Sequence, residues 1–331
     1  MILRKYCLWA LAVLAGCATG CGTQSAPQWH RNEGATWGTT YHIVYESAAD
    51  LHDSVRTVMD AVDASVSPFN PSSRLSAVNA GRSDTLDAML RSLMAESQRV
   101  CRLSGGAFDP TVMPLVDLWG FGPSGRGSEP SREQIDSALA AVGILDCAVD
   151  DTGRFTRKSP GTRLDFSAIA KGMGVDMVAA MLRRNGVENY MVEIGGEVAL
   201  GGTNPRGKDW HIQIDAPVDG ALPGHSGMRV AEIEGGRCVA TSGNYRNYRT
   251  LADGTHAGHI ISPQTGLPVH TSVLSATVVA PSCTTADALA TAAMGLQPDS
   301  ALALARRAGV EMLLAVAAAD SFAIRATPGF P

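Results

Sequence analysis

Hydrophobic residues recur along this chain at two spacings, one typical of helices and one typical of strands. Apolar side chains three or four positions apart predict helices over residues 51–66, 88–103, 132–142, 169–184, 285–294 and 299–308. Alternating or β-rich runs predict strands over residues 40–46, 190–200, 210–215, 228–233, 238–241, 259–262, 274–280, 311–316 and 321–325. Because helices and strands do not alternate strictly, the pattern predicts an α+β fold rather than a doubly wound sheet.

The beginning of the chain predicts an export signal rather than part of the fold. Arg4 and Lys5 precede an uncharged apolar run over 7–15, which is too short to span a membrane and is typical of a signal peptide. The run ends in Leu14-Ala15-Gly16-Cys17, which resembles a bacterial lipobox, and a plain secretory signal is the alternative. The chain then divides into three predicted parts: a lipoprotein signal peptide over 1–16, the lipidated Cys17 with a tether over 17–36, and a folded domain over 37–331.

Composition narrows the function without defining it. The 331 residues are 45% hydrophobic and 18% charged, which is ordinary for a globular protein. The formal net charge of −5 offers no broad basic surface, so we expect no nucleic-acid partner. Seven cysteines include no C-x-x-C pair and no Cys/His spacing typical of zinc sites.

Two glycine-rich segments could bring backbone close to a ligand. The first, residues 104–111, ends a predicted helix at Gly105-Gly106 and is followed by aromatic rings between glycines over 118–122. Paired glycines suit a helix C-cap, and rings beside glycines also suit a wall on which a planar ligand stacks. The second, residues 193–197, places Gly195-Gly196 inside an apolar run, either as a β-bulge or as a ligand contact.

Two further segments place chemically useful side chains on predicted helices. Ser167 can cap the helix that follows it, and Lys171 lies in the first turns of that helix, where anions are favoured. Lys171 could therefore hold a phosphate, although a solvated lysine is the alternative. Asp287 and Thr291 lie four residues apart on one helix face and offer the oxygen donors that Mg²⁺ prefers. An aspartate stabilised by a helix N-terminus is the alternative for Asp287.

Eight short motifs occur in order along roughly residues 37–296. They are Gly38-Thr39-Thr40-Tyr41; Ser67 to Ser76 with Asn79; Gly105 to Thr111; Leu164-Asp165 with Ala170-Lys171-Gly172; Gly195-Gly196-Glu197; Ala240 to Gly243; His259 with Pro263, Thr265-Gly266 and Pro268; and Ala286-Asp287 with Thr291. Taken together, they resemble the ApbE family, the FAD:protein FMN transferases. The resemblance implies a single intertwined unit of mixed, largely antiparallel sheets flanked by helices.

The resemblance also implies a reaction and a site. Members bind FAD and Mg²⁺, transfer FMN to a Thr or Ser hydroxyl of an acceptor protein and release AMP. The implied metal ligands are Asp287, Thr291 and the backbone carbonyl of Ala168, and the implied catalytic residues are His259 as the base, Asp287 and Lys171. The residues expected to line the FAD cleft are Phe69, Phe108, Asp109, Thr111, Lys171, Glu197, Thr241, Ser242, Gly243 and His259.

This chain departs from the usual motifs at three positions. Ala168 replaces a glycine, Met173 replaces an aromatic residue, and Ser262 replaces an aspartate before Pro263. The expected acceptor is a subunit of a sodium-pumping or Rnf-type redox complex, or another exported FMN protein. We expect the chain to be anchored by lipid to a bacterial membrane and to face the periplasm.

Two other functions stay open at this point. A Mg²⁺-dependent FAD pyrophosphatase would use water in place of the acceptor hydroxyl and release FMN and AMP. A flavin-binding lipoprotein without catalysis would not need Asp287, Thr291 and His259 all together, so their presence argues against it. A dinucleotide-binding oxidoreductase is disfavoured, because no G-x-G-x-x-G follows an early strand.

Overall fold

A computed structural model describes residues 26–123, 129–218, 226–243, 248–250, 256–319 and 321–331. The strands are β1 (Gln28–Thr36), β2 (Thr39–Ser47), β3 (Ala148–Val149), β4 (Phe155–Thr156), β5 (Tyr190–Ile194), β6 (Glu197–Gly201), β7 (Trp210–Asp215), β8 (Gly227–Ile233), β9 (Cys238–Gly243), β10 (Tyr248–Thr250), β11 (His256–Gly258), β12 (Val273–Ala280), β13 (Glu311–Ala318) and β14 (Ser321–Ala326). The helices are α1 (His52–Val66), α2 (Arg74–Asn79), α3 (Ala88–Ser104), α4 (Met113–Leu118), α5 (Arg132–Leu139), α6 (Ala170–Arg184), α7 (Cys283–Met294) and α8 (Pro298–Ala308), with a 3₁₀ turn over Ile144–Asp146.

One eight-stranded sheet organises these elements. Its order is β1-β2-β5-β6-β9-β12-β13-β14, and every neighbouring pair is antiparallel. Three two-stranded sheets, β3-β4, β7-β8 and β10-β11, complete the described strands. The predicted α+β class and the largely antiparallel sheets are therefore confirmed.

Helices cover one face of the large sheet, and a hairpin covers the other. On the helical face α7 packs against β9 and β12 and lies among α3, α6 and α8, while α1 packs against α6. On the opposite face Trp210 and Ile214 of the β7-β8 hairpin pack against Val198, Val239 and Leu313 of the large sheet. Successive residues of one strand therefore face two different hydrophobic cores, because side chains alternate between the two faces of a sheet.

Helix α7 is buried because most of its side chains are small and apolar. Ala286, Ala288, Ala290, Ala292 and Ala293 are inaccessible to solvent. Small side chains let neighbouring backbones approach closely, and a helix that is apolar over most of its surface packs within a core. Among the described residues, no helix has the length and apolar character needed to cross a membrane.

Two assignments predicted from the sequence differ from the structure. Residues 28–36, expected in the tether, form β1, which pairs along its whole length with β2; its mostly polar sequence concealed an edge strand. The single strand predicted over 190–200 is the hairpin β5-β6, because Gly195 and Gly196 both adopt positive φ, as a two-residue type I′ turn demands. This turn also replaces the β-bulge considered for these glycines.

The strand predicted over 259–262 is likewise not formed. There Ile261 makes only an isolated bridge to Pro268. The helix predicted over 132–142 ends earlier, at Leu139. Residues 1–16 and Cys17 lie outside the described residues, so the signal peptide and the lipid attachment stay predictions.

Candidate active site

A cavity of about 570 Å³ opens where the large sheet, the helices on one of its faces and strand β7 on the other meet. Segments distant in sequence meet there: the loop over 107–110, the start of α6, the β5-β6 turn, the end of β9 and the middle of α7. Of the predicted cleft residues, the wall contains Phe69, Phe108, Asp109, Lys171, Thr241, Ser242, Gly243 and His259, and of the predicted metal ligands it contains Ala168, Asp287 and Thr291. The fold therefore gathers nearly all of the predicted site residues.

The position of Asp287 is fixed by the backbone of α6. The Gly172 N–H donates to Asp287 Oδ2 at 2.9 Å. A Cβ at position 172 would lie 2.4 Å from the carbonyl oxygen of Cys283 and 2.9 Å from Asp287 Cβ. Glycine is therefore required at this point because the two helices touch. Burial raises the pKa of Asp287, although the Lys171 charge and the Gly172 N–H oppose the rise.

Asp176, on α6, forms hydrogen bonds with the first turn of α7. Asp176 Oδ1 accepts from the Cys283 N–H at 2.9 Å. Asp176 Oδ2 accepts from the Ser282 hydroxyl at 2.8 Å and from the Thr284 N–H and hydroxyl at 2.9 and 2.6 Å. Because Gly172 and Asp176 are one turn apart on α6, they attach α7 at two successive points. Asp176 was not predicted from the sequence, because its partners lie more than 100 residues away in the chain.

The oxygen donors of this region suit a hard cation. Asp287 and Thr291 line the cavity from one helix face, and Thr291 Oγ1 lies 3.1 Å from Ser242 Oγ. Ala168 lies at the cavity wall just before α6. A carboxylate, a hydroxyl and a backbone carbonyl are the donors that Mg²⁺ prefers, with further positions left to water or phosphate. No group of three or more His, Cys, Asp or Glu side chains with metal-binding geometry occurs in the described part of the chain.

Lys171 supplies the positive charge of the cavity. Its Nζ lies 2.5 Å from Oε1 of Glu197, which is buried in β6, while a third of the lysine side chain is exposed. Burial disfavours the charge on Lys171, but attraction by Asp287 and Glu197 outweighs this effect and raises the pKa of Lys171. Burial also raises the pKa of Glu197. Lys171 therefore stays cationic at neutral pH and can meet an anionic ligand.

Thr111 supports the part of the cavity wall that contains Phe108 and Asp109. Asp109 Oδ1 accepts from the Thr111 N–H and hydroxyl at 2.8 and 2.5 Å, and Asp109 Oδ2 accepts from the Ile144 N–H at 2.9 Å. Burial raises the pKa of Asp109, against the effect of these bonds. The glycines before this wall do end a helix, since Gly105 caps α3 in the left-handed conformation. Thr111 is inaccessible to solvent.

Two predicted lining residues thus lie behind the wall. Thr111 and Glu197 do not line the cavity; they support Asp109 and Lys171, because their polar groups are directed at those side chains. The capping predicted for Ser167 is also wrong. The Ser167 hydroxyl donates to Asp165 Oδ1 at 2.6 Å, and α6 begins at Ala170 without a side-chain cap.

His259 lies at an aromatic part of the cavity. Its ring centroid is 6.4 Å from that of Phe121, with an interplanar angle of 68°. Phe69, at another part of the wall, is 62% exposed. Such an exposed ring is available for stacking on a planar ligand.

Sequence reasoning missed one wall of the cavity. Gln213, Ile214 and Asp215 of β7 form it. Ile214 packs inward in the core of the hairpin. The alternating pattern of β7 predicted the strand but not its tertiary position, so no local signal identified these residues.

A cationic lysine, hard oxygen donors and a histidine meet in one cleft, which is an arrangement typical of enzymes that act on phosphate-containing substrates. A family model described as the ApbE family matches residues 37–314. The chain belongs to the ApbE family.

Relatives and solved structures agree with this assignment. The chain is 37% identical to an FAD:protein FMN transferase of Vibrio cholerae, over 98% of this chain and 96% of the relative. It is 34% identical to one of Haemophilus influenzae, over 90% of this chain and 89% of the relative. The solved structure of the Vibrio cholerae flavin transferase ApbE matches with a TM-score of 0.82 at 35% identity, over 92% of this chain and 98% of that one. The apo form of the Pseudomonas stutzeri flavinyl transferase ApbE matches with a TM-score of 0.81 at 34% identity, over 91% and 95%.

Proposed function

We propose that this protein transfers FMN from FAD to a threonine or serine hydroxyl of an acceptor protein, with Mg²⁺ as cofactor and AMP as leaving group. One observation carries the proposal: Lys171, the oxygen pair Asp287 and Thr291, and His259 line a single cavity. The names of the relatives supply the substrate, FAD, and the protein nature of the acceptor. Transfer of a phosphate-linked group depends mainly on positioning and charge neutralisation, and these residues can provide both.

Each residue has a separate task in this reaction. Asp287, Thr291 and the Ala168 carbonyl would hold Mg²⁺, which neutralises charge on the pyrophosphate when bound. Lys171 binds a phosphate oxygen, and Glu197 keeps the lysine charged and in place. Phe108 and Phe69 contribute ring surface to the cavity, which suits the planar flavin. The Gly172 N–H fixes Asp287 before any ligand arrives.

The proposed step exchanges one phosphorus–oxygen bond for another. The acceptor hydroxyl oxygen attacks the phosphorus of the FMN half, and the bond from that phosphorus to the AMP phosphate breaks. His259 takes the hydroxyl proton, and AMP leaves with the bonding electrons. Histidine suits this task because the ordinary pKa of an imidazole side chain lies near neutral pH.

The cellular setting belongs to the same proposal. A lipid on Cys17 would anchor the chain to a bacterial membrane, with the domain facing the periplasm. The lipobox-like sequence before Cys17 supports this placement. The acceptor would then be an exported or membrane-associated flavoprotein, such as a subunit of a sodium-pumping or Rnf-type redox complex.

Flavin transfer can be tested with the purified chain, FAD, Mg²⁺ and an acceptor domain that contains a flavinylation threonine. We expect a fluorescent acceptor band on a denaturing gel, with AMP formed in parallel, and loss of both in EDTA. Asp287→Ala should abolish both products and leave FAD binding measurable, whereas the matched variant Asp299→Ala, on an exposed part of α8, should retain activity. AMP with free FMN and no band would indicate a pyrophosphatase. FAD binding without either product would indicate a flavin carrier.

A further inference from the structure

The hydroxyl of Ser242 reaches from the large sheet to the helix that carries two of the proposed metal ligands. Ser242 Oγ, near the end of β9, lies 3.1 Å from Thr291 Oγ1 in α7, and both residues line the cavity. Thr241, the residue before Ser242, makes a hydroxyl contact of 2.9 Å with Thr277 of β12 instead. Because successive side chains of a strand point to opposite faces of the sheet, Ser242 is the one of the two that is directed at α7.

Ser242 takes the place of the partner that a threonine within a helix commonly has. Thr57 of α1 shows the common arrangement, since its hydroxyl donates to the Asp53 carbonyl four residues earlier at 2.8 Å. The corresponding carbonyl for Thr291 is that of Asp287. Among the described residues, however, the Thr291 hydroxyl is bonded to Ser242. The contact with Ser242 therefore competes with a turn of this hydroxyl toward its own helix.

The direction of this hydrogen bond follows from the single proton of a hydroxyl group. A hydroxyl has one proton and two lone pairs, and it binds a cation through a lone pair. When the Thr291 oxygen faces a cation, its proton must point away from that cation. Ser242 Oγ lies within hydrogen-bond distance and can accept this proton. In that state Thr291 is the donor, Ser242 is the acceptor, and the Thr291 lone pairs are available to the cavity.

We propose that Ser242 is a positioning residue, which accepts the hydroxyl proton of Thr291 and holds the Thr291 oxygen toward the bound cation. This inference rests on the proposed function, because it requires that Asp287, Thr291 and the Ala168 carbonyl bind Mg²⁺. The Gly172 N–H already fixes the carboxylate ligand, Asp287. Ser242 does the same for the hydroxyl ligand. Groups that orient metal ligands typically contribute a factor of about 10–100 to metal affinity.

The test is a calorimetric titration of Mg²⁺ into the chain saturated with FAD. We expect Ser242→Ala to weaken Mg²⁺ binding about tenfold, because Thr291 loses its acceptor. Ser275→Ala is the matched control, since it removes the hydroxyl of another serine close by. Ser275 is a buried residue of the neighbouring strand β12, paired with Gly243, and it is not among the residues that line the cavity. This control should keep the Mg²⁺ affinity.

A double-mutant cycle separates positioning from a general structural effect. If Ser242 acts through Thr291, Ser242→Ala should have no further effect on Mg²⁺ affinity in a chain that already carries Thr291→Val, since the oxygen that Ser242 orients is gone. A loss by the same factor in both backgrounds would overturn the inference. FAD affinity in EDTA, measured by flavin fluorescence, is the second readout. It should fall by a smaller factor than Mg²⁺ affinity does, and an equal or larger fall would show that Ser242 acts on the nucleotide instead.

The outcomes also separate this inference from the function on which it rests. An unchanged Mg²⁺ affinity in Ser242→Ala would overturn the inference and leave the proposed metal site intact. Equal losses in Ser242→Ala and Ser275→Ala would overturn it as well. If the unchanged chain binds Mg²⁺ no better than Asp287→Ala does, the metal assignment of the proposed function fails, and the inference fails with it.

Discussion

Replacing Asp176 by asparagine should destabilise the chain far more than the loss of one charge on its surface would. The carboxylate of Asp176 accepts four hydrogen bonds from residues 282–284 at the start of α7. The single amide oxygen of asparagine can replace only one carboxylate oxygen. If it replaces Oδ2, the amide N–H₂ faces the N–H of Cys283, a residue inaccessible to solvent.

The size of this effect follows from the bonds affected. A hydrogen bond to a charged group contributes about 1.5–3 kcal/mol, and a buried donor left unpaired costs about 1–3 kcal/mol. Because the remaining three bonds weaken when the charge is removed, we expect Asp176→Asn to lower the free energy of unfolding by about 2–4 kcal/mol. Since α7 carries Asp287 and Thr291, the rate of acceptor labelling should fall as well.

Asp299→Asn is the matched control for this prediction. Asp299 also lies in the first turn of a helix, α8, but its side chain is 88% exposed and pairs with Arg325 at the surface. Exposed pairs contribute about 0–1 kcal/mol, so this variant should lose less than about 1 kcal/mol. Urea unfolding followed by tryptophan fluorescence measures both free energies. Equal losses in the two variants would refute the assigned role of Asp176.

Two further predictions concern the contacts of α7. Gly172→Ala places a Cβ 2.4 Å from the Cys283 carbonyl oxygen, so it should cost about 1–3 kcal/mol of stability. Because it displaces Asp287, it should also weaken the proposed binding of Mg²⁺ at least tenfold in calorimetric titration. An unchanged Mg²⁺ affinity would contradict this prediction. Glu96 lies on α3 and accepts from Thr285 and Arg99; burial raises its pKa, but these partners outweigh burial and lower it. Its contribution to stability is therefore present above the unfolded-state pKa of about 4.3 and is lost as pH falls through the lower folded-state value. The stability gap between Glu96→Gln and the unchanged chain should close in urea titrations at acidic pH, and a gap that persists there would count against this interpretation.

Elements with a strong hydrophobic period were predictable from the sequence. The helix predicted over 88–103 is α3, and α8 begins within one residue of its predicted start, because one face of each is buried. β1 was missed since its residues are mostly polar and only Asn32 is buried along it. Its pairing with β2 stabilises it, and that pairing is not visible in a local pattern.

Site residues were predictable where motifs carried them, and not where tertiary contacts did. Lys171, Asp287 and His259 were identified by motif and do meet in the cavity. Asp176 acts across two helices, and Asp215 reaches the cavity only because the β7-β8 hairpin packs there. Such roles depend on how elements pack, which single-sequence spacing does not specify.

The most direct test of the central claim is the intact mass of the acceptor after incubation with the protein, FAD and Mg²⁺. Transfer predicts a mass increase of one FMN less one water, located on a threonine or serine, with one AMP released for each modified acceptor. His259→Ala should remove both products, because the proposed step needs a base at the hydroxyl. An unmodified acceptor together with stoichiometric free FMN and AMP would contradict the account.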